Sequence, residues 1–158
     1  MPPDKLDILV DGERISESTP KLSDTRRRAR VISVQSLYEN EMSGLDIDIV
    51  TERLLSHENL SKKDQILCRN IIKTIKKKSN LIDKNISNAT LGFDLVEMSS
   101  IDRNCLRVAF AESLFDDPPP KAVIINEAIE IASYLGSDSS GSLINGILVT
   151  LLLWKKMI

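Results

Sequence analysis

Four arginines lie within five residues of one another, at Arg26, Arg27, Arg28 and Arg30. Guanidinium groups stay charged and form paired hydrogen bonds with phosphate oxygens. These four fall at the start of a predicted helix, where the helix dipole disfavours each cation by up to about 1 kcal/mol. An anionic ligand would remove this conflict, and the cluster therefore favours a nucleic-acid ligand. The structural alternative is a solvated basic turn that pairs with the acidic segment preceding it.

A second basic region lies further along the chain and consists of lysines. Its members are Lys73, Lys76, Lys77, Lys78 and Lys84. Their position on a long predicted helix favours a solvated helix face, and a track for an RNA backbone is the alternative.

Residue types that carry catalysis are sparse in this sequence. His57 is the only histidine, and Cys68 and Cys105 lie in apolar helical rows without the spacing of metal ligands. No glycine-rich turn suited to a nucleotide-like cofactor is present. The sequence therefore predicts a protein that is not an enzyme and uses no metal or cofactor.

The elements that must position the arginines are predicted to be helices. Of the 158 residues, 42% are hydrophobic but only 4% are aromatic, which favours an all-α fold over a β-sandwich or barrel. Residues 1–23 are acidic and rich in helix breakers, and they predict a mostly disordered extension. Residues 24–158 form the predicted helical domain. Because no stretch is long and apolar enough to span a bilayer and no signal peptide is evident, the sequence predicts a cytoplasmic protein.

Apolar residues spaced three and four apart set the predicted helices. Capping boxes at Ser61 and Ser99 open two of them. The predicted breaks are Ser43–Gly44, Lys78–Asn80 and the proline-rich segment Asp116–Pro120. The last helix is predicted to run from Ser142 to Lys156, with Trp154 on its buried side.

Five segments, in the same order, resemble the NusB family of bacterial transcription antitermination proteins. They are RRRAR at 26–30, VQSLY at 34–38, IDRNCLRVA at 101–109, PKAVIINEAIEIA at 120–132 and LINGIL at 143–148. The resemblance implies an all-α fold of about seven helices in two small sub-bundles.

The resemblance also implies an activity. NusB proteins pair with a ribosomal small-subunit protein, NusE, and bind single-stranded boxA RNA in ribosomal RNA transcripts within the RNA polymerase antitermination complex. Carried onto this chain, the four arginines would contact RNA phosphates, and Gln35 and Tyr38 would extend the RNA-binding surface. Asp102 would meet a basic surface of the NusE-like partner, although its place in the Ser99 capping box is a sufficient structural reason for an acid there.

The chain departs from the family pattern in the loop before the last helix. Ser142 and Leu143 stand where the family carries a lysine and an aromatic that can contact RNA, Val149 replaces a common acid, and the acidic extension is unusual.

Two alternative functions stay open. One is a helical protein-interaction module that does not bind RNA. The other is a stand-alone relative of the RNA-binding domain of ribosomal RNA cytosine methyltransferases.

Overall fold

The computed structural model describes residues 25–90, 92 and 94–154, and across these residues it has seven α-helices and no strand. The helices are α1 (Thr25–Ser43), α2 (Ile47–Ser56), α3 (Lys62–Lys77), α4 (Ser79–Ala89), α5 (Ser100–Ser113), α6 (Lys121–Leu135) and α7 (Ser140–Leu148). A 3-10 turn, Leu95–Glu97, precedes α5, and a π-helical stretch, Val149–Trp154, follows α7. The all-helical prediction is confirmed, while the predicted extension at 1–23 lies outside the described residues.

The helix boundaries follow from local hydrogen bonding. The Ser61 hydroxyl oxygen accepts from the backbone N–H of Asp64 at 3.2 Å, and Ser99 does the same for Asp102 at 3.2 Å. Helix α1 stops where Gly44 takes a φ of 73°, a left-handed conformation that costs glycine little. The serine N-caps and this stop are confirmed, because each depends on residues within a few positions of one another.

The C-terminal prediction needs correction. Helix α7 begins at Ser140 rather than Ser142, and the chain continues from Val149 with π-helical hydrogen bonding. Trp154 is 77% exposed, so it does not lie on a buried side as predicted. No helix in the described part of the chain is long and apolar enough to cross a membrane.

Helix α5 joins the two halves of the fold. It contacts α1 and α3 of the N-terminal half and α4, α6 and α7 of the C-terminal half. Its residues Leu106, Phe110 and Ala111 are at most 1% exposed. Apolar side chains from all seven helices join one core around it, so the two predicted sub-bundles share a continuous interior.

A polar clasp holds the C-terminal part of α1 against α5. The Glu41 carboxylate accepts hydrogen bonds from Ser100 and Arg103 at 2.6 Å each and from Arg107 at 2.8 Å. Arg107 is held from its other side by Asp83 of α4 at 2.9 Å. Burial by itself would raise the pKa of Glu41, but the hydrogen bonds, chiefly from Arg103, outweigh it and lower the pKa to about 2.

Glu41→Gln tests this clasp. At neutral pH we expect a loss of about 2 kcal/mol in the free energy of unfolding, because charged hydrogen bonds to the arginines are removed. The wild-type advantage should be full above pH about 4.5, the ordinary pKa of a glutamate, and should disappear as the pH falls toward about 2. Urea unfolding of both proteins across this pH range measures the difference, and a constant difference would contradict the assignment.

Candidate nucleic-acid interface

The first turns of α1 divide the four arginines into two pairs. Successive residues of an α-helix are about 100° apart, so Arg27 and Arg30 lie within roughly 60° of each other around the axis. Their side chains are 0% and 7% exposed and face the interior. The side chains of Arg26 and Arg28 are 42% and 31% exposed. The sequence analysis grouped the four arginines together. The fold separates them into a buried inner pair, Arg27 and Arg30, and a partly exposed outer pair, Arg26 and Arg28.

The inner pair lies in a buried network of ion pairs with α5 and α6. Arg27 donates to both oxygens of Glu127, with Nη2 at 2.6 Å from Oε2 and Nε at 3.2 Å from Oε1. Arg30 donates to both oxygens of Glu112, at 2.6 and 3.0 Å, and also to Glu127 at 3.1 Å. Glu130 lies 3.9 Å from Arg27. Paired geometry of this kind is what makes a desolvated guanidinium tolerable in a protein interior.

The carboxylates also favour the charged form of Arg30. Burial tends to lower the pKa of the Arg30 guanidinium, but the hydrogen bond and charge of Glu112, supported by Glu127, raise it overall. Carboxylates of the same chain therefore offset the unfavourable interaction of these arginines with the positive end of the helix dipole at the start of α1. For Arg27 and Arg30 an external anion is unnecessary, because both are paired with carboxylates of the same chain and their side chains are at most 7% exposed.

The outer pair makes weaker contacts at the rim. Arg26 Nη1 lies 3.3 Å from Oδ1 of Asp64, and Arg28 Nε donates to Glu58. Although burial alone would raise the pKa of Asp64, hydrogen bonds from Thr25, Ser61 and Arg26 lower it. Arg28 and Glu58 are both partly exposed, and such a pair contributes about 0–1 kcal/mol, so Arg28 can exchange its carboxylate for a phosphate at small cost. The Asp64 side chain is only 6% exposed, but it keeps hydrogen bonds from Thr25 and Ser61 when Arg26 turns to a phosphate.

A groove of about 440 Å³ opens beside Arg26. Its other lining residues are Arg30, Asp117, Pro118, Pro119, Val123 and Glu127. The two prolines and the 42% exposed Val123 form an apolar side, next to the half-exposed guanidinium of Arg26. A flat apolar surface beside a cation suits a nucleobase and its phosphate. We name this feature the Arg26 groove.

Gln35 and Tyr38 lie along the opposite side of α1 from Arg26. Gln35 is two turns beyond Arg28 and shares its face, and Tyr38 is about 60° round from Gln35. Gln35 is half-buried and Tyr38 is 41% exposed. Arg28, Gln35 and Tyr38 can therefore form one band of cation, amide and aromatic ring, separate from the Arg26 groove.

Asp102 lies at the start of α5 and is only 7% exposed. Its backbone N–H donates to Ser99, which establishes its capping position. Its Oδ1 is buried and has no hydrogen-bond partner among the described residues. Capping thus accounts for the backbone of Asp102 but leaves its carboxylate unexplained, because a buried acceptor without a donor is unfavourable.

Sequence reasoning missed the three glutamates that hold the inner arginines. Glu127 and Glu130 lie on α6 beside buried Ile124, Ala128 and Ile131. An acid within such an apolar row is the signal that could have found them, because a buried carboxylate needs a cationic partner.

Comparison with known proteins identifies the group to which the chain is similar. The model of the NusB family matches residues 27–152. The transcription antitermination protein NusB of Dehalococcoides mccartyi strain 195 is 35% identical over 127 residues, covering 80% of this chain and 89% of the relative. The protein of the same description from Anaeromyxobacter dehalogenans strain 2CP-1 is 34% identical over 128 residues, with coverage of 80% and 89%.

Solved structures give the same grouping. T. maritima NusB superimposes with a TM-score of 0.75 and 36% identity, covering 84% of this chain and 90% of that chain. A crystal structure of antitermination factors NusB and NusE in complex with dsRNA has a TM-score of 0.73 at 18% identity, covering 82% and 96%. At that identity the second likeness concerns the fold alone.

The division of the arginines can be tested by stability. Arg27→Ala should lower the free energy of unfolding by about 3–5 kcal/mol, because buried Glu127 loses two charged hydrogen bonds and Glu130 loses a nearby cation. Arg28→Ala, which removes the same charge at the rim, should change it by less than about 1 kcal/mol. Urea unfolding of the two variants beside the wild type gives the comparison. Equal losses would show that Arg27 is not part of a buried network.

Proposed function

The chain belongs to the NusB family, and on this premise we propose that it is a transcription antitermination factor. In this proposal it binds boxA-like single-stranded RNA of ribosomal RNA transcripts together with a NusE-like ribosomal protein. The observation that carries the proposal is the family match across residues 27–152, to relatives described as transcription antitermination proteins. The proposed activity is binding without catalysis, within the RNA polymerase antitermination complex in the cytoplasm.

The accessible residues of α1 supply the proposed RNA contacts. Arg26 and Arg28 can turn from their carboxylates and bind phosphates, since both guanidiniums are partly exposed. The ring of Tyr38 offers a stacking surface, and the Gln35 amide can hydrogen-bond a base edge. Arg27 and Arg30, which were first grouped with them, are left out of the RNA surface. Their proposed role is to hold α1 so that the outer arginines face solvent.

The proposed RNA surface of this chain is small, which favours binding of RNA together with a protein partner. Only two of the four arginines are accessible, and exposed Ser142 and half-buried Leu143 offer neither the cation nor the aromatic ring usual in the family. We therefore expect weak RNA binding by the chain alone and tighter binding with the NusE-like protein. We propose that a basic side chain of the partner approaches the Asp102 carboxylate at the small part of the residue that stays exposed, since Oδ1 itself is buried.

The RNA proposal is tested by Arg26→Ala combined with Arg28→Ala. Fluorescence anisotropy with boxA-like RNA at several salt concentrations measures affinity and its salt dependence. Each lost phosphate contact should reduce the log–log slope by roughly 0.7, or about 1.4 for the pair.

Arg53→Ala combined with Arg69→Ala is the matched control, because both arginines form surface ion pairs elsewhere, with Glu39 and Glu52. The control removes the same charge and should leave the slope nearly unchanged. If both double variants reduce the slope equally, the binding is nonspecific. If neither double variant changes the slope, a scaffold that does not bind RNA is favoured. All four arginines form ion pairs within the chain, which agrees with that alternative function.

The partner contact is tested by Asp102→Asn, which keeps the shape of the side chain and removes its charge. We expect the affinity for the NusE-like protein, measured by calorimetry, to fall about tenfold or more, since a charged pair at an interface is lost. The melting temperature should stay near that of the wild type. Asp102→Lys is less informative, because a lysine at a 7% exposed position would destabilise the fold itself. Unchanged partner affinity in Asp102→Asn would restrict Asp102 to capping.

A further inference from the structure

One face of α3 is exposed along the whole helix. Exposed residues recur on it at alternating intervals of three and four, which places them in one row. The row consists of Lys63, Ile66, Asn70, Lys73 and Lys77. Its first turn lies beside the outer arginines, because Arg26 contacts Asp64. From Asp64 to Lys77 the helix rises by about 20 Å.

The lysines at the far end of this row differ from their neighbour Lys76. Lys76 donates to Asp48 at 2.6 Å. Within the part of the chain that the structure describes, Lys73, Lys77 and Lys78 form no such ion pair. Cations near a helix C-terminus are favoured by the dipole, which explains why the helix tolerates them. The helix dipole does not explain why these lysines surround a groove.

That groove has a volume of about 460 Å³ and lies between α3 and the segment after α5. Its lining residues are Asn70, Lys73, Thr74, Lys77, Lys78, Leu114, Phe115, Asp116 and Asp117. We name it the lysine groove. Asp117 also lines the Arg26 groove. The two grooves therefore meet at the segment 114–120, and a strand leaving one can enter the other without crossing the core.

We propose that the lysine groove is a second RNA-binding site, which holds the part of the transcript that flanks the boxA-like element. The proposal rests on the proposed function of the Arg26 region. Lys73, Lys77 and Lys78 supply charge for two or three phosphates, and the half-buried ring of Phe115 supplies a stacking surface. Asn70 and Thr74 add hydrogen-bonding groups between them.

The acidic residues in the groove constrain how RNA lies in it. Asp116 and Asp117 repel phosphates, but a carboxylate can accept hydrogen bonds from the amino groups of bases. The strand therefore places its phosphates along α3 and turns its bases toward the segment 114–117. The length of α3 from Asp64 to Lys77 corresponds to about six stacked nucleotides at ~3.4 Å each.

The test compares a short boxA-like RNA with the same RNA extended by eight cytidines, whose bases carry amino groups, at its 5′ or 3′ end. Anisotropy titrations use the full chain. Wild type should bind one extended RNA several-fold more tightly than the short one. Lys73→Gln combined with Lys77→Gln should abolish that gain, leave binding of the short RNA unchanged, and reduce the salt slope for the extended RNA by about 1.4.

Lys76→Gln combined with Lys84→Gln is the control, because it removes the same charge and neither lysine lines the groove. It should keep the gain. Phe115→Leu, which keeps an apolar side chain against the core but has no aromatic face, should reduce the gain by up to about tenfold. A gain that survives the Lys73 and Lys77 changes, or no gain in wild type, overturns the lysine groove alone. Failure of wild type to bind even the short RNA overturns the proposed function and this inference with it.

Discussion

The buried ion-pair network between α1, α5 and α6 is the constraint on which the rest of the site depends. Arg27 and Arg30 place two positive charges in the core. Glu127 and Glu112 accept paired hydrogen bonds from them. Desolvating these groups is costly, so the arrangement is tolerable only when all partners are in place. Because a helix carries its side chains at fixed angles, fixing Arg27 and Arg30 inward also fixes the direction of the outer arginines.

The cluster therefore combines two kinds of ion pair with opposite properties. The inner pairs are desolvated and geometrically matched, so removing one partner leaves an uncompensated charge. The outer guanidiniums of Arg26 and Arg28 are partly exposed, and an anion can reach them. A run of arginines is for this reason weaker support for RNA binding than its charge suggests. In this chain half of the run stabilises the packing of α1.

The segment between α5 and α6 links the site to the fold. Its prolines end helical structure after α5 and start α6 in a new direction. The same segment separates the Arg26 groove from the lysine groove and contributes Asp117 to both. Residues on α1, α3 and this segment thus line two grooves that share Asp117, although they are distant in sequence. The proposed RNA path follows that surface from the start of α1 to the end of α3.

The sequence by itself determined the helical class, the N-caps at Ser61 and Ser99, the stop at Gly44 and the break near Lys78. These depend on periodicity and on hydrogen bonds between residues only a few positions apart. Only the tertiary structure decided which arginines are buried, that Glu41 clasps α5, and that two grooves meet at one segment. The ion pairs of Arg27 and the hydrogen bonds of Glu41 join residues 59–100 positions apart. A guanidinium has the same local sequence signature whether its partner is a buried glutamate or a phosphate, so only the packing of the helices could distinguish them.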